Sequence, residues 1–204
     1  MTALVHALLR RREDPHPALG LLVLTVAASA CFGASVGAYQ ARLQILYAAV
    51  KMPVYFLGTL GLSFAAMHLF AARGLRARET FAVALETVAL TTVVLGALAP
   101  VEALLSLSCP RPSHRAYSFL ILLLTGSVGA AGVCGVSRAY LRLGSIRLTA
   151  AWVLLYQFVG AQLAWLLRPW VNDGQSGQPF LPLEENMHGN FYEAVFRALQ
   201  GLFG

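Results

Sequence analysis

Charged side chains vanish from four long stretches of the chain, and the four blanks have nearly the same length. Residues 18–38, 52–72, 116–137 and 148–167 hold no Asp, Glu, Lys or Arg, and a fifth stretch, 80–101, holds one, Glu86. Crossing a hydrocarbon core of about 30 Å takes roughly 20 apolar residues in helical form. The pattern therefore predicts an all-α fold, a polytopic transmembrane helical bundle of five spans. It divides the chain into a cytoplasmic N-terminal segment, 1–17, a five-helix transmembrane domain, 18–168, and an extracytoplasmic tail, 169–204.

The spacing of charges sets the expected orientation. Arg10, Arg11, Arg12, Arg73, Arg76, Arg78, Arg138, Arg142 and Arg147 fall on one side of a five-span chain. Arg42, Lys51, Arg111, Arg115, Arg168 and Arg197 fall on the other, together with Glu102, Asp173, Glu184, Glu185 and Glu193. Basic residues near span ends stay cytoplasmic. The bias predicts a cytoplasmic N-terminus and an extracytoplasmic C-terminus in a cell inner (plasma) membrane. An alternative reading of the start is a signal peptide, because Ala28-Ser29-Ala30 precedes Cys31 like a cleavage or lipidation site.

Composition narrows the function classes. Charged residues make up 12% of the 204 residues, against about 25% in a soluble domain, so little chain remains for a soluble catalytic domain. The net charge of +6 comes from arginines scattered between spans. That scatter fits anionic headgroups of the lipid bilayer and no nucleic acid. Three cysteines without a spacing pattern point away from zinc and from an obligatory disulfide set.

Polar groups inside the spans are the main clue to chemistry, since they are expensive there. Glu86 is expected about 10 Å inside its span and His68 about 7 Å inside the preceding one, at 1.5 Å per residue. Matched depths on antiparallel neighbours make a His68–Glu86 pair plausible. Gln157 is placed near the middle of the last span and Gln162 about a turn and a half further on. His68, Glu86, Gln157 and Gln162 are the candidate buried polar or ion site. They read either as hydrogen-bonded locks within the bundle or as a proton or ion path.

Small residues four apart form strips along which helices approach closely in lipid. Gly33 with Gly37, and Ser127 with Ala131 and Gly135, are such strips. They read as packing within one bundle or as a self-association face. Residues 41–50 read as a short interfacial helix that turns into the second span at Lys51-Met52-Pro53, with Lys51 snorkelling to the headgroups. Trp165, Arg168 and Trp170 read as the anchor where the last span leaves the membrane. The tail restarts at Asn190, a fair N-cap with Glu193 three residues on, and Phe191, Val195, Leu199 and Leu202 share the face of an amphipathic surface helix.

No His-Glu-x-x-His, Gly-x-Ser-x-Gly, Cys-x-x-Cys or Walker-type loop occurs. The expectation is a non-enzyme with no catalytic residues, no metal and no cofactor.

One resemblance adds to this reading. Residues 152–169, W-x-x-L-Y-x-F-V-G-x-Q-x-A-W-x-L-R-P, together with Ala49-x-Lys51-x-Pro53 and the Asn190-Phe191-Tyr192 triplet, resemble an uncharacterised family of bacterial polytopic inner-membrane proteins over most of residues 33–196. Trp170 stands where that family would have phenylalanine. The resemblance implies a multi-pass architecture in a bacterial inner membrane and no particular chemistry. The five-span count also resembles Yip-type trafficking proteins, none of whose signature residues occur here. The function expected is a non-catalytic structural or accessory subunit of a membrane assembly, as a homo- or hetero-oligomer. The alternative is a small transporter or ion/proton channel.

Overall fold

A computed structural model describes residues 16–38, 42–70, 76–108, 123, 126–128, 130–132, 135, 145–167, 180–181, 192–193, 196 and 200. Among them lie four long helices: α1, His16–Gly37; α2, Arg42–Phe70; α3, Ala77–Ser108; and α4, Ile146–Leu167. All four are long and apolar enough to cross a membrane. Helices are the natural outcome for such segments, because lipid offers no partner to a backbone N–H or C=O left unpaired.

Five spans are not established. Most of the fourth predicted span, 116–137, lies outside the described residues. Those of its residues that are described, 123, 126–128, 130–132 and 135, are helical. The tail helix expected near 190–203 also falls largely outside them, with residues 192–193, 196 and 200 helical and exposed.

Two boundaries differ from expectation. The interfacial helix and second span are one element, since α2 runs unbroken from Arg42 through Lys51-Met52-Pro53. The third span continues past Pro100 to Ser108. Lys51-Met52-Pro53 reads as the junction of two elements, and the charge-poor stretch of the third span ends at Val101, before Glu102; proline signals a break in water-exposed chain. In an apolar setting, neighbouring helices and hydroxyls can re-satisfy the freed backbone groups, so helices pass through. The correction moves Glu102 from a loop into the interior of a helix. Similarly, α1 runs without interruption through Ala28-Ser29-Ala30-Cys31.

The bundle presents an apolar exterior and buries small polar side chains among its apolar core. Leu19, Val23, Leu46, Leu62, Leu104, Leu107 and Leu154 face outward, while Thr25, Ser29, Thr59, Ser63, Thr91 and Thr92 are buried. The density of large exposed apolar side chains is what sets it apart from a water-facing surface. Inside, the threonine hydroxyls bond back to their own helix. Thr25 Oγ1 donates to the Leu21 carbonyl (2.7 Å), Thr59 Oγ1 to Tyr55 (2.7 Å), Thr87 Oγ1 to Val83 (2.8 Å) and Thr91 Oγ1 to Thr87 (2.9 Å). This i→i−4 pattern needs no partner from a neighbouring helix.

α1 sits between α2 and α3, packing extensively on both, whereas α2 and α3 touch each other little; α4 packs on α2. The tightest crossing is α1 on α2. A Cβ at Gly33 would collide with the Ala48 carbonyl and lie 2.7 Å from Met52 Cγ, and one at Gly37 would lie 2.7 Å from the Ile45 Cα. The Gly33–Gly37 strip is therefore spent on contact within the chain. The second strip behaves alike. Ala131 is buried, Ser127 half-buried, and a Cβ at Gly135 would come within 2.8 Å of Thr87 Cγ2 on α3. Phe32, Met52, Phe56, Leu60, Leu85 and Leu95 fill the space between the first three helices.

Candidate functional site

Three helix ends meet at one end of the bundle. Gly33 faces Ala48 and Met52, and Gly37 faces Gln44 and Ile45, so α1 and α2 are antiparallel. Only residues 71–76 separate α2 from α3, and Phe64 packs edge-on against Phe81 at 5.1 Å between ring centres. α3 therefore runs back alongside α1, with Gly96 against Ala28. The C-terminal half of α1, the N-terminal half of α2 and the C-terminal half of α3 share this end.

Ionisable and amide side chains gather there out of contact with the surroundings. Glu102 is 1% exposed and Lys51 3%, and Gln44, Ser35 and Ser106 are also buried. Gln44 and Lys51 stand two helical turns apart on one face of α2, and Glu102 and Ser106 one turn apart on one face of α3. Ser35 Oγ is satisfied by the Phe32 carbonyl at 2.6 Å. Glu102 has no hydrogen-bond partner at either carboxyl oxygen, and neither does Ser106 Oγ. Two adjacent orphaned groups on one helical face are unusual, since buried polar atoms are nearly always paired.

Lys51 is capped from outside the helices. Its Nζ lies 5.4 Å from the centre of the Phe180 ring, which meets Tyr47 edge-on at 5.3 Å. The chain beyond α4 thus returns over the first turns of α2. An ammonium over a phenyl face gains about 0.5–2 kcal/mol depending on desolvation. Lys51 is the single lysine of the sequence. Phe180→Leu is expected to raise the rate at which an amine-reactive reagent modifies Lys51 by several-fold in detergent micelles, against an unchanged rate for Tyr192→Leu. Equal rates in all three proteins would mean that the ring does not cover the amine.

The residues singled out from the sequence do not assemble as one site. His68 is half-buried and stacks on Phe64 at 5.7 Å, and its Nδ1 has no hydrogen-bond partner. Its ring contact is with Phe64, so the expected His68–Glu86 pair is not formed through Nδ1. Glu86 is half-buried on α3. Gln157 and Gln162, expected in the interior, are both exposed on α4. Lys51, expected at the headgroups, is buried. Trp165 is half-buried in the last turn of α4, and Arg168 and Trp170 lie outside the described residues.

Sequence reasoning missed Glu102 and Ser106, though a signal was present. Val88, Thr92, Leu95 and Ala99 follow a 3–4 spacing along the buried face of α3, and Glu102 and Ser106 continue it. Bounding the span at Val101, where the charge of Glu102 ends the apolar stretch, hid that continuation.

Comparison of the chain with protein-family models, with curated proteins and with solved structures finds no match.

Proposed function

We propose that the chain is a multi-pass membrane protein acting as a non-catalytic structural or accessory subunit of a larger membrane assembly. The observation that carries this reading is that the threonine hydroxyls along the bundle interior are engaged within their own helices. The hydroxyls of Thr25, Thr59 and Thr91 are bound to their own helices, and both glutamines that would have extended a polar path face outward. A conduit needs polar groups free to exchange partners with a passing ion or proton. In a five-span chain the charge bias supports a cytoplasmic N-terminus with residues 169–204 outside, and the resemblance carried by residues 152–169 supports a bacterial inner membrane.

A second reading, a small proton or cation carrier, is favoured by one observation, the orphaned Glu102 carboxyl. Ionisable groups inside spans mark such pathways more often than chance. One experiment separates the two. Purification in mild detergent, with identification of co-purifying proteins and ion-flux assays on reconstituted liposomes, is expected to give a stoichiometric partner or oligomer and no flux. A lone monomer that conducts protons or cations would reverse the assignment.

A further inference from the structure

The outward face of α4 carries an amide where a lipid-facing helix would be apolar. Ile146, Ala150, Leu154, Phe158 and Leu166 are exposed along α4, with Leu154 71% and Phe158 58% accessible. Gln157 is exposed among them. It stands eleven residues from Ile146 and ten from Leu167, at the middle of the helix. Hydrocarbon offers its carboxamide no partner, and an amide left unpaired in an apolar medium costs several kcal/mol by transfer scales. Gln162 is exposed too, but lies only five residues from the end of α4, about 7–8 Å by helical rise, within reach of interfacial water.

We infer that this face of α4 is the contact surface for a second copy of the same chain, with Gln157 paired to Gln157 of the other copy. The argument is one of self-complementarity. Two copies inserted in the same direction relate by a two-fold axis along the membrane normal, so each residue at the axis meets itself at equal depth. A carboxamide carries both donors and an acceptor, so two of them satisfy one another without any further group. Ala150, small and exposed on the same face, lets the helices approach, and Leu154 and Phe158 close over the amides. The inference rests on the oligomeric part of the proposed function and names its partner.

The test is subunit counting by single-molecule photobleaching in liposomes over a range of protein-to-lipid ratios, with wild type, Gln157→Leu and Gln162→Leu. Interhelical amide bonds in membranes contribute enough that losing both partners should raise the dimer dissociation constant about tenfold. The expected result is a wild-type dimer, a Gln157→Leu variant shifted about tenfold toward monomer at unchanged thermal stability, and a Gln162→Leu variant that behaves as wild type. A wild type that is monomeric at every ratio, or a dimer indifferent to Gln157→Leu, overturns the inference. A monomer that nonetheless co-purifies with a different protein overturns it while leaving the accessory-subunit reading intact. A monomer that conducts ions removes both.

Discussion

Gly33→Ala should unfold the contact between α1 and α2 at far lower temperature than its single methyl group would lead one to expect. The added Cβ would meet the Ala48 backbone carbonyl and Met52 Cγ. Met52 can swing aside, but the carbonyl belongs to a helix and cannot. The two helices must separate along the whole crossing, and Phe32, Met52 and Phe56 lose packing with them. Overpacking of a dense core costs about 1–3 kcal/mol, and a backbone collision belongs at the top of that range. Gly61→Ala is the matched comparison, because nothing lies within 4 Å of a Cβ there. Removing a glycine from an open helical position gains up to about 1 kcal/mol. The two variants should therefore shift the melting temperature in detergent in opposite directions. Shifts of the same sign and size would show that the crossing is looser than these distances indicate.

Replacing Glu102 by methionine should make the isolated protein more stable. Its carboxyl oxygens are buried without a hydrogen bond, and Ser106 one turn away offers none. A buried polar group left unsatisfied costs about 1–3 kcal/mol, more when charged, and an apolar group of similar shape removes that cost. Methionine fills the same volume with a flexible chain. The expected gain is about 2 kcal/mol, read from thermal or denaturant unfolding in detergent. A residue that weakens its own protein is held by something other than folding, as at functional sites generally. Glu102→Met should accordingly reduce assembly with a partner, or transport if that reading holds, while the purified chain unfolds later than wild type. A less stable Glu102→Met protein would mean that the carboxyl is already engaged within the fold.

The helical, lipid-facing character of the protein was plain from the sequence because it depends on composition over some twenty residues, where errors at single positions cancel. α1 and α4 fell within two residues of the charge-free stretches that foretold them. Boundaries tied to single residues were less legible. Pro53 marks an element junction by the rules of solvent-exposed chain, yet it sits inside a helix, and the helix holding Pro100 runs on past the charge of Glu102 that bounded the third stretch. Residues 41–50 were seen as amphipathic, but the sense of the amphipathicity was reversed. Leu43, Leu46 and Val50 face out, while Gln44 and Lys51 face in. Periodicity identifies two faces of a helix and says nothing about which one the surroundings prefer. The candidate site suffered most from this ambiguity. Gln157 and Gln162 were assigned inward because polar groups in spans generally point inward, and Glu102 was placed beyond the third span because its charge ends the apolar stretch 80–101.

The placement of α1 between α2 and α3 has a consequence for how the molecule comes to exist. A chain delivered from its N-terminus releases α1 first. When α2 follows, its docking surface, the ridge around Ala48 and Met52, finds Gly33 already waiting. When α3 follows, Gly96 finds Ala28 on the same pre-inserted helix, and α4 in turn settles on α2 through Gly160 and Tyr55. Each newcomer meets a surface laid down earlier. Their hydroxyls, already bound to their own carbonyls, exchange no hydrogen bonds as the helices come together. Assembly can thus proceed in the order of synthesis, one helix at a time, without undoing any contact already made.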